Sequence, residues 1–185
     1  MGGINKALLR IHGKTIIEIT ASVLKRIFPE VIIITNSPDD FGFLGLPMYK
    51  DLIPGKGSLG GLYTGLSLCK GGWAFLAACD MPFLNGDVIT HMLKHLGDSD
   101  VVVPRIHGML EPLHAFYSKT CLPYIEGLLA EDDLKILNFY HDAKVKEIDE
   151  EQLFCFDPEL RFIMNLNTPE DLENARRIAA DSLDR

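Results

Sequence analysis

The 185-residue sequence lacks the features that mark secreted, membrane-bound and zinc-stabilised proteins. Its four cysteines contain no C-x-x-C pair, which disfavours zinc ligation, and they make a poor disulfide framework for a chain of this length. No apolar run approaches the roughly 20 residues that a membrane-spanning helix needs, and the N-terminus carries no secretory signal. We therefore expect reduced thiols in or near the core of a cytoplasmic protein that does not bind membranes.

Positive charge is also scarce, since the sequence has 18 lysines and arginines against 26 aspartates and glutamates, which gives a net charge of -8. A protein without a basic surface cannot neutralise the phosphates of nucleic acids, so we expect no general nucleic-acid binding, although a local cluster around one nucleotide remains open. The Walker loop G-x-x-x-x-G-K-[ST] and the G-x-S-x-G elbow of serine hydrolases are missing. His91 and His95 are four residues apart but lack the glutamate of the H-E-x-x-H zinc motif, so we expect them on a solvated helix face.

What the sequence does contain is an alternation of helical and strand-like segments. The apolar runs at 31–35 and 73–79 are typical of strands that are buried on both faces in a parallel sheet. Thr168, with Pro169 next and Asp171 three residues after it, predicts the start of a final helix. Further strands are predicted at 101–103, 113–117 and 162–166, and further helices at 14–28, 58–70, 86–96, 121–130 and 134–140. This order predicts one α/β domain over residues 1–185, with three layers and a mostly parallel sheet.

Short polar side chains follow four candidate strands: Asn36 follows 31–35, Asp51 follows a short segment at 48–50, Asp80 follows 73–79 and Asn167 follows 162–166. Ligands of such sheets bind beyond the carboxyl ends of the strands, so these side chains converge if the sheet is doubly wound. Each of them equally fits a simpler interpretation, as a helix cap or a turn residue. Asp80 stands apart because it directly follows seven apolar residues and precedes Met81 and Pro82, which hold it at the sheet edge. We interpret Asp80 as a Mg2+ ligand, since Mg2+ takes one or two carboxylates together with phosphate oxygens.

A glycine-rich loop at 54–61 follows Asp51 and leads into a predicted helix. Gly57, Gly60 and Gly61 let backbone N–H groups approach an anion, and the helix N-terminus adds a favourable dipole. The alternative is an ordinary loop at a helix start. Lys6 offers a point positive charge for a phosphate, and its alternative is a solvated surface lysine.

Several segments, in the same order along nearly the whole chain, resemble the molybdenum cofactor guanylyltransferases. Residues 2–9 with Gly13 are similar to the end of that family's nucleotide-binding signature, L-A-G-G-x-S-x-R-M-G-x-x-K-x-L-L followed by x-x-x-G. The sequence G-S-L-G-G-L at 57–62 resembles the family's G-P-L-x-G, and A-C-D-M-P-F at 78–83 resembles its C-D-x-P. The sequence E-P-L-H-A-F-Y at 111–117 resembles a P-L-x-A-x-Y stretch, and residues 165–172 match the closing N-x-N-T-P-E-[DE]-L.

The resemblance implies a Rossmann-like nucleotidyltransferase that joins GMP from GTP to the terminal phosphate of molybdopterin and releases pyrophosphate. It implies Mg2+ as the cofactor and other proteins of the molybdenum-cofactor pathway as candidate partners. By the same resemblance Asp80 holds Mg2+, Lys6 contacts phosphate, and the nucleoside lies near Asn36 and Asp51. The acceptor side is then formed by Asn165 and Asn167.

One departure from the family pattern concerns the N-terminus, because Met1 aligns with the methionine inside R-M-G. The first strand and the L-A-G-G turn of the family then have no counterpart in this sequence. We expect the chain as given to be a form of a longer enzyme with impaired activity. Two other functions stay open. One is another nucleotidyltransferase of the same fold, acting on cytidine nucleotides or sugar phosphates, and the other is a non-catalytic nucleotide-binding protein.

Overall fold

The structure is a computed structural model that describes residues 5–183. The family-like residues 1–4, and any strand ahead of them, lie outside the described residues. Five α-helices are present: α1 (Ile16–Ile27), α2 (Gly57–Leu68), α3 (Gly86–Leu93), α4 (Leu122–Ala130) and α5 (Pro169–Leu183). The strands are β1 (Arg10–Ile11), β2 (Lys14–Thr15), β3 (Ile33–Ile34), β4 (Met48–Tyr49), β5 (Trp73–Ala77), β6 (Val101–Ile106), β7 (Met109–Leu110), β8 (His114–Ser118) and β9 (Val145–Asp149).

Two helices begin with capping boxes that the sequence encodes locally. At the start of α1 the Thr15 hydroxyl accepts a hydrogen bond from the N–H of Glu18, and the Glu18 carboxylate accepts one from the N–H of Thr15. At the start of α5 Thr168 and Asp171 exchange the same two bonds, which confirms the predicted cap. Each box satisfies backbone N–H groups that the first helical turn leaves without partners.

The main sheet has five strands in the order β5-β8-β6-β7, with β9 also paired to β6. The α/β class is confirmed, but the prediction of a mostly parallel sheet is wrong, because β5–β8, β8–β6 and β6–β7 are all antiparallel and β9–β6 is parallel. A two-residue turn causes part of this, since His107 and Gly108 both have positive φ, at 49° and 77°. Such a turn returns the chain beside itself as an antiparallel hairpin.

Alternate residues of the central strands face two separate cores, which gives the three layers. Val101, Val103 and Tyr117 pack on one side with residues of α2 and α4. Val102 and Phe116 pack on the other side with residues of α3, and the end of α1 contacts the same cluster. Within residues 5–183, no helix combines the length and the apolar character that crossing a bilayer needs.

A groove lies between β3 and β5, where the sequence predicted strands that are buried on both faces. It has a volume of about 1010 Å³ and is closed above and below by apolar or small residues of α1 and α2. β3 is only two residues long and pairs with β4, while β5 pairs with β8, so the described pairings leave the groove-facing edge of each strand open. As a result every residue of β5 is half-buried rather than buried, which corrects the expectation for 73–79.

Other local predictions also need correction. The segment predicted as a strand at 162–166 starts instead with a 3-10 turn, Arg161–Ile163, and the predicted helix at 134–140 is a 3-10 turn, Ile136–Phe139. Strand β9 was not predicted, because its apolar residues, Val145 and Ile148, are three positions apart, lie on opposite faces and form no alternating pattern. Cys121 is buried and Cys69 is half-buried, whereas Cys79 and Cys155 are exposed, so the expected location in or near the core is wrong for the last two.

Candidate active site

Lys6 connects two segments that are far apart in the sequence. Its ammonium Nζ donates to Oδ1 of Asn167 at 2.6 Å and lies 3.3 Å from Oδ2 of Asp80. The side chains of Lys6 and Asp80 keep 30% and 20% of their exposure, so a ligand can reach both. The three side chains form one accessible cluster of a cation, an anion and an amide, which we call the Lys6 cluster.

Backbone contacts fix the position of Asp80. The residue lies three positions after the end of β5, and its carbonyl accepts a hydrogen bond from the N–H of Leu166 at 3.1 Å. The buried hydroxyl of Thr20 in α1 donates to the carbonyl of Met81 at 3.2 Å. Ala78, two positions before Asp80, donates its N–H to the carbonyl of Leu113 at 3.1 Å. Three different parts of the chain therefore hold the turn that carries the carboxylate.

Asn36 and Asp51 form a second pair, at the ends of the parallel strands β3 and β4. Nδ2 of Asn36 donates to Oδ2 of Asp51 at 2.8 Å, and the N–H of Asp51 donates to Oδ1 of Asn36 at 3.3 Å. Asp51 and Asp80 both line the groove between β3 and β5. The pair and the Lys6 cluster thus flank one opening, as the convergence of strand ends predicted.

The glycine-rich loop divides into residues that face the groove and a residue that does not. Gly57, which has a φ of +54°, and Gly61 both line the groove, and a Cβ on either would meet no atom within 4 Å. Gly60 is buried, its N–H donates to the carbonyl of Lys56, and a Cβ there would lie 2.8 Å from Cβ of Lys56. The structure therefore gives Gly60 a packing role rather than the predicted anion contact. Lys56 itself pairs with Asp132 at 2.8 Å.

Asn165 lies in the same segment as Asn167, two residues earlier, and its side chain is half-buried. The bond from Leu166 to Asp80 places this segment beside the Lys6 cluster. The sequence assigned both asparagines to the acceptor side, but it gave no sign that Asn167 contacts Lys6 directly. The two residues are 161 positions apart, so no local pattern reports their contact.

The loop at 111–113 lies beside the turn that carries Asp80, because the carbonyl of Leu113 accepts a hydrogen bond from the N–H of Ala78, and the sequence did not indicate this contact. The hydroxyl of Tyr117 donates to the carbonyl of Pro112 at 2.7 Å and lies 2.7 Å from the hydroxyl of Tyr140. Burial raises the pKa of the half-buried Glu111 carboxyl in this loop. The tyrosine of the P-L-x-A-x-Y stretch was the available signal, since its hydroxyl anchors the loop from the core.

His91 differs from its predicted place on a solvated face. Its ring lies 5.0 Å from the rings of both His95 and Phe156, and Nε2 is buried without a hydrogen-bond partner among the described residues. Burial, followed by the charges of His95 and Lys94, lowers the pKa of His91. Contact with the segment around Phe156 causes the burial, and periodicity within α3 did not predict that contact.

Among the described residues, the candidate ligand for Mg2+ is the single carboxylate of Asp80. Within residues 5–183 no group of three or more histidines, cysteines, aspartates or glutamates is arranged to hold a metal ion by itself. Asp80 is a single, accessible carboxylate that lines the groove between β3 and β5. Mg2+ commonly takes one or two protein carboxylates and completes its shell with phosphate oxygens and water, so this donor set suits a metal that arrives with a nucleotide.

Similarity to known proteins shows the family of the chain. Residues 1–144 match the MobA-like NTP transferase domain, which covers more than half of the chain. The chain belongs to this family. Members of the MobA-like family similar to it include the molybdenum cofactor guanylyltransferase of Desulfosudis oleivorans, at 37% identity over 94% of this chain and 87% of that protein. The probable molybdenum cofactor guanylyltransferase of Pelotomaculum thermopropionicum is 39% identical over 97% of this chain and 88% of its own.

Solved structures give the same assignment. The molybdopterin-guanine dinucleotide biosynthesis protein A of Archaeoglobus fulgidus superposes with a TM-score of 0.82 and 28% identity, covering 97% of this chain and 92% of that one. The 2-C-methyl-D-erythritol 4-phosphate cytidylyltransferase of Thermus thermophilus has a TM-score of 0.72 at 15% identity, over 95% and 94% of the two chains. At that identity the second structure shows the shared fold alone. The MobA-like chain is therefore a nucleotidyltransferase with an α/β fold.

Proposed function

We propose that this chain transfers GMP from GTP to the terminal phosphate of molybdopterin, which carries its metal as part of the substrate, and releases pyrophosphate. The observation that carries the proposal is the Lys6 cluster, which flanks the same groove opening as the Asn36–Asp51 pair. The names of the relatives with 30% identity or more support the guanylyl donor and the pterin acceptor.

The reaction is a displacement at phosphorus. An oxygen of the acceptor phosphate forms a bond to the α-phosphorus of GTP, and the bond from that phosphorus to the bridging oxygen of the β-phosphate breaks. The electron pair of the broken bond leaves with pyrophosphate. The acceptor phosphate is already a competent nucleophile, so no general base is required, and catalysis rests on positioning and charge neutralisation.

The residues of the site divide into a donor side and an acceptor side. Asn36 and Asp51 orient the nucleoside, and the backbone of Gly57 and Gly61 approaches the phosphates through the open helix N-terminus. Lys6 neutralises phosphate charge as a point cation. Asn165 and Asn167 lie toward the acceptor, and Asn167 also fixes the Lys6 ammonium.

Mg2+ is the proposed cofactor, with Asp80 as its protein ligand. When bound, the ion neutralises the charge of the triphosphate and of the developing pyrophosphate. The chain holds the carboxylate in place through the bonds to Leu166 and the neighbouring turn. We also propose that the protein works in the cytoplasm, where exposed thiols such as Cys79 and Cys155 stay reduced.

The test is a transfer assay with purified protein, GTP, MgCl2 and molybdopterin, in which dinucleotide and pyrophosphate are both quantified. CTP and UTP replace GTP in parallel reactions. Faster transfer with CTP would move the assignment to a cytidylyltransferase, and transfer to a sugar phosphate in place of the pterin would indicate that other substrate class. Nucleotide binding without any pyrophosphate release would favour a non-catalytic protein.

A further inference from the structure

The capping box of α5 extends further than the capping box of α1. In α1 Oε2 of Glu18 accepts from the N–H and the hydroxyl of Thr15, so both bonds stay on the cap residue, at 2.7 and 2.8 Å. In α5 Oδ2 of Asp171 accepts from the N–H of Thr168 at 2.8 Å and also from the N–H of Asn167 at 2.9 Å. The second bond reaches one residue upstream of the cap, to the residue that holds Lys6.

Asn167 needs such support because its side chain is exposed. The preceding residue, the buried Leu166, donates its N–H to the carbonyl of Asp80. The N–H of Asn167 itself donates to the carboxylate of Asp171. With the backbone fixed on both sides, Oδ1 of Asn167 stays within 2.6 Å of the Lys6 ammonium. An exposed amide without these restraints would sample other rotamers, and the contact with Lys6 would be lost for part of the time.

We propose that Asp171 is a positioning residue, which holds Asn167 so that the Lys6 ammonium stays next to Asp80. The inference rests on the proposed function, because it assigns Lys6 to the phosphates of the nucleotide. Asn167 is uncharged, so its hold on Lys6 does not depend on the charge of Asp80. The ammonium of lysine has three donors, and the bonds to Asn167 and Asp80 use two of them, which leaves one for a phosphate.

The carboxylate of Asp171 is in the charged form that this role requires. Hydrogen bonds from the backbone of Thr168 and of Asn167 lower its pKa, and the charge of Lys6 contributes a smaller effect in the same direction. Asp171 is half-buried, and its backbone N–H donates a hydrogen bond to the hydroxyl of Thr168 at 3.1 Å. The position of the carboxylate is therefore fixed by the two hydrogen bonds that it accepts and by the hydrogen bond that the backbone of Asp171 donates.

The experiment compares Asp171→Ala with Glu18→Ala, which removes the carboxylate of the matched box in α1. Both variants lose a capping carboxylate, but only the first loses the bond to Asn167. We expect Asp171→Ala to lower kcat about tenfold, which corresponds to 1.36 kcal/mol, with the KM for GTP changed less than about twofold. Glu18→Ala should leave kcat within about twofold of the parent while losing a similar amount of thermal stability.

A second measurement does not need activity. The side-chain ammonium signal of Lys6, identified in 1H–15N spectra by its loss in Lys6→Arg, reports the contact in the free protein. We expect this signal to move and broaden in Asp171→Ala and to stay in place in Glu18→Ala. If Asp171→Ala does not fold, Asp171→Ser, whose hydroxyl is closer to the backbone than the carboxylate, takes its place in both measurements.

Equal losses of kcat in the two variants, or an unchanged Lys6 signal in Asp171→Ala, would overturn the positioning role. Absence of GTP-dependent transfer in the parent protein would instead count against the proposed function. The Lys6 signal would still decide the positioning role in that case, so the two failures are distinguishable.

Discussion

Asn36 and Asp51 hold one another through two hydrogen bonds, one between their side chains at 2.8 Å and one from the N–H of Asp51 at 3.3 Å. The pair joins the ends of β3 and β4 before any ligand arrives. In the proposed function this pair orients the nucleoside, and side chains that already hold each other lose little conformational entropy on binding.

We expect GTP with Mg2+ to raise the melting temperature of the protein more than CTP or UTP at equal concentration. A ligand that binds only the native state stabilises it by about 2.7 kcal/mol at a hundredfold excess over its dissociation constant. Asp51→Ala should reduce the GTP shift, and Asp39→Ala, at an exposed carboxylate outside the site, should keep it. Equal or larger shifts with CTP would move the assignment to a cytidylyl relative.

Asp80→Asn should abolish transfer while the fold stays intact. The change removes the only charged oxygen donor that the proposal gives to Mg2+, and we expect a loss of about 100-fold or more in kcat. Asp87→Asn, at an exposed carboxylate in the first turn of α3, is the matched control and should retain activity. Rates are measured across a Mg2+ titration, and a parental rate for Asp80→Asn at limiting Mg2+ would refute the metal assignment.

His114 should make the fold sensitive to acid. Its ring is fully buried, neither ring nitrogen has a hydrogen-bond partner among residues 5–183, and burial lowers its pKa from 6.5 to about 3. Between these values the unfolded chain binds a proton and the folded chain does not, so stability is lost as the pH falls below 6.5. The loss amounts to about 2 kcal/mol between pH 7 and pH 5.

The measurement for His114 is the free energy of unfolding against pH for the parent and for His114→Leu. Between pH 7 and pH 5 the free energy of unfolding should fall by about 2 kcal/mol less in the variant than in the parent, whatever the stability of the variant at pH 7. His141→Leu, at a side chain that is 74% exposed, should follow the parent. Parallel curves for the parent and His114→Leu would show that His114 does not titrate on unfolding.

Much of the local structure could be predicted because its causes are local. The apolar spacing of 14–28 places one face of α1 in the core, and Thr15 and Thr168 each form a cap with a carboxylate three residues later. The candidate site residues at strand ends could also be found from the sequence, since Asn36, Asp51 and Asp80 each follow a segment that is a strand in the structure.

The pairing of strands could not be predicted in the same manner. The apolar run at 73–79 indicates a strand with two apolar faces, but not that β5 pairs with the antiparallel β8 on one edge and borders a groove on the other. Periodicity encodes which face of an element is apolar, whereas the neighbour of that face is set by contacts between distant residues.

The sequence by itself determined the α/β class, the main helices and their caps, and the order of motifs that assigns the family. Only the tertiary structure decided the mixed sheet, the packing role of Gly60 and the contacts of Lys6. Lys6 is 74 residues from Asp80 and 161 residues from Asn167, so their meeting depends on how these three distant segments of the chain come together in the fold. A hydrogen bond across such a distance is a property of the folded chain, because no segment that contains one partner carries a signal of the other.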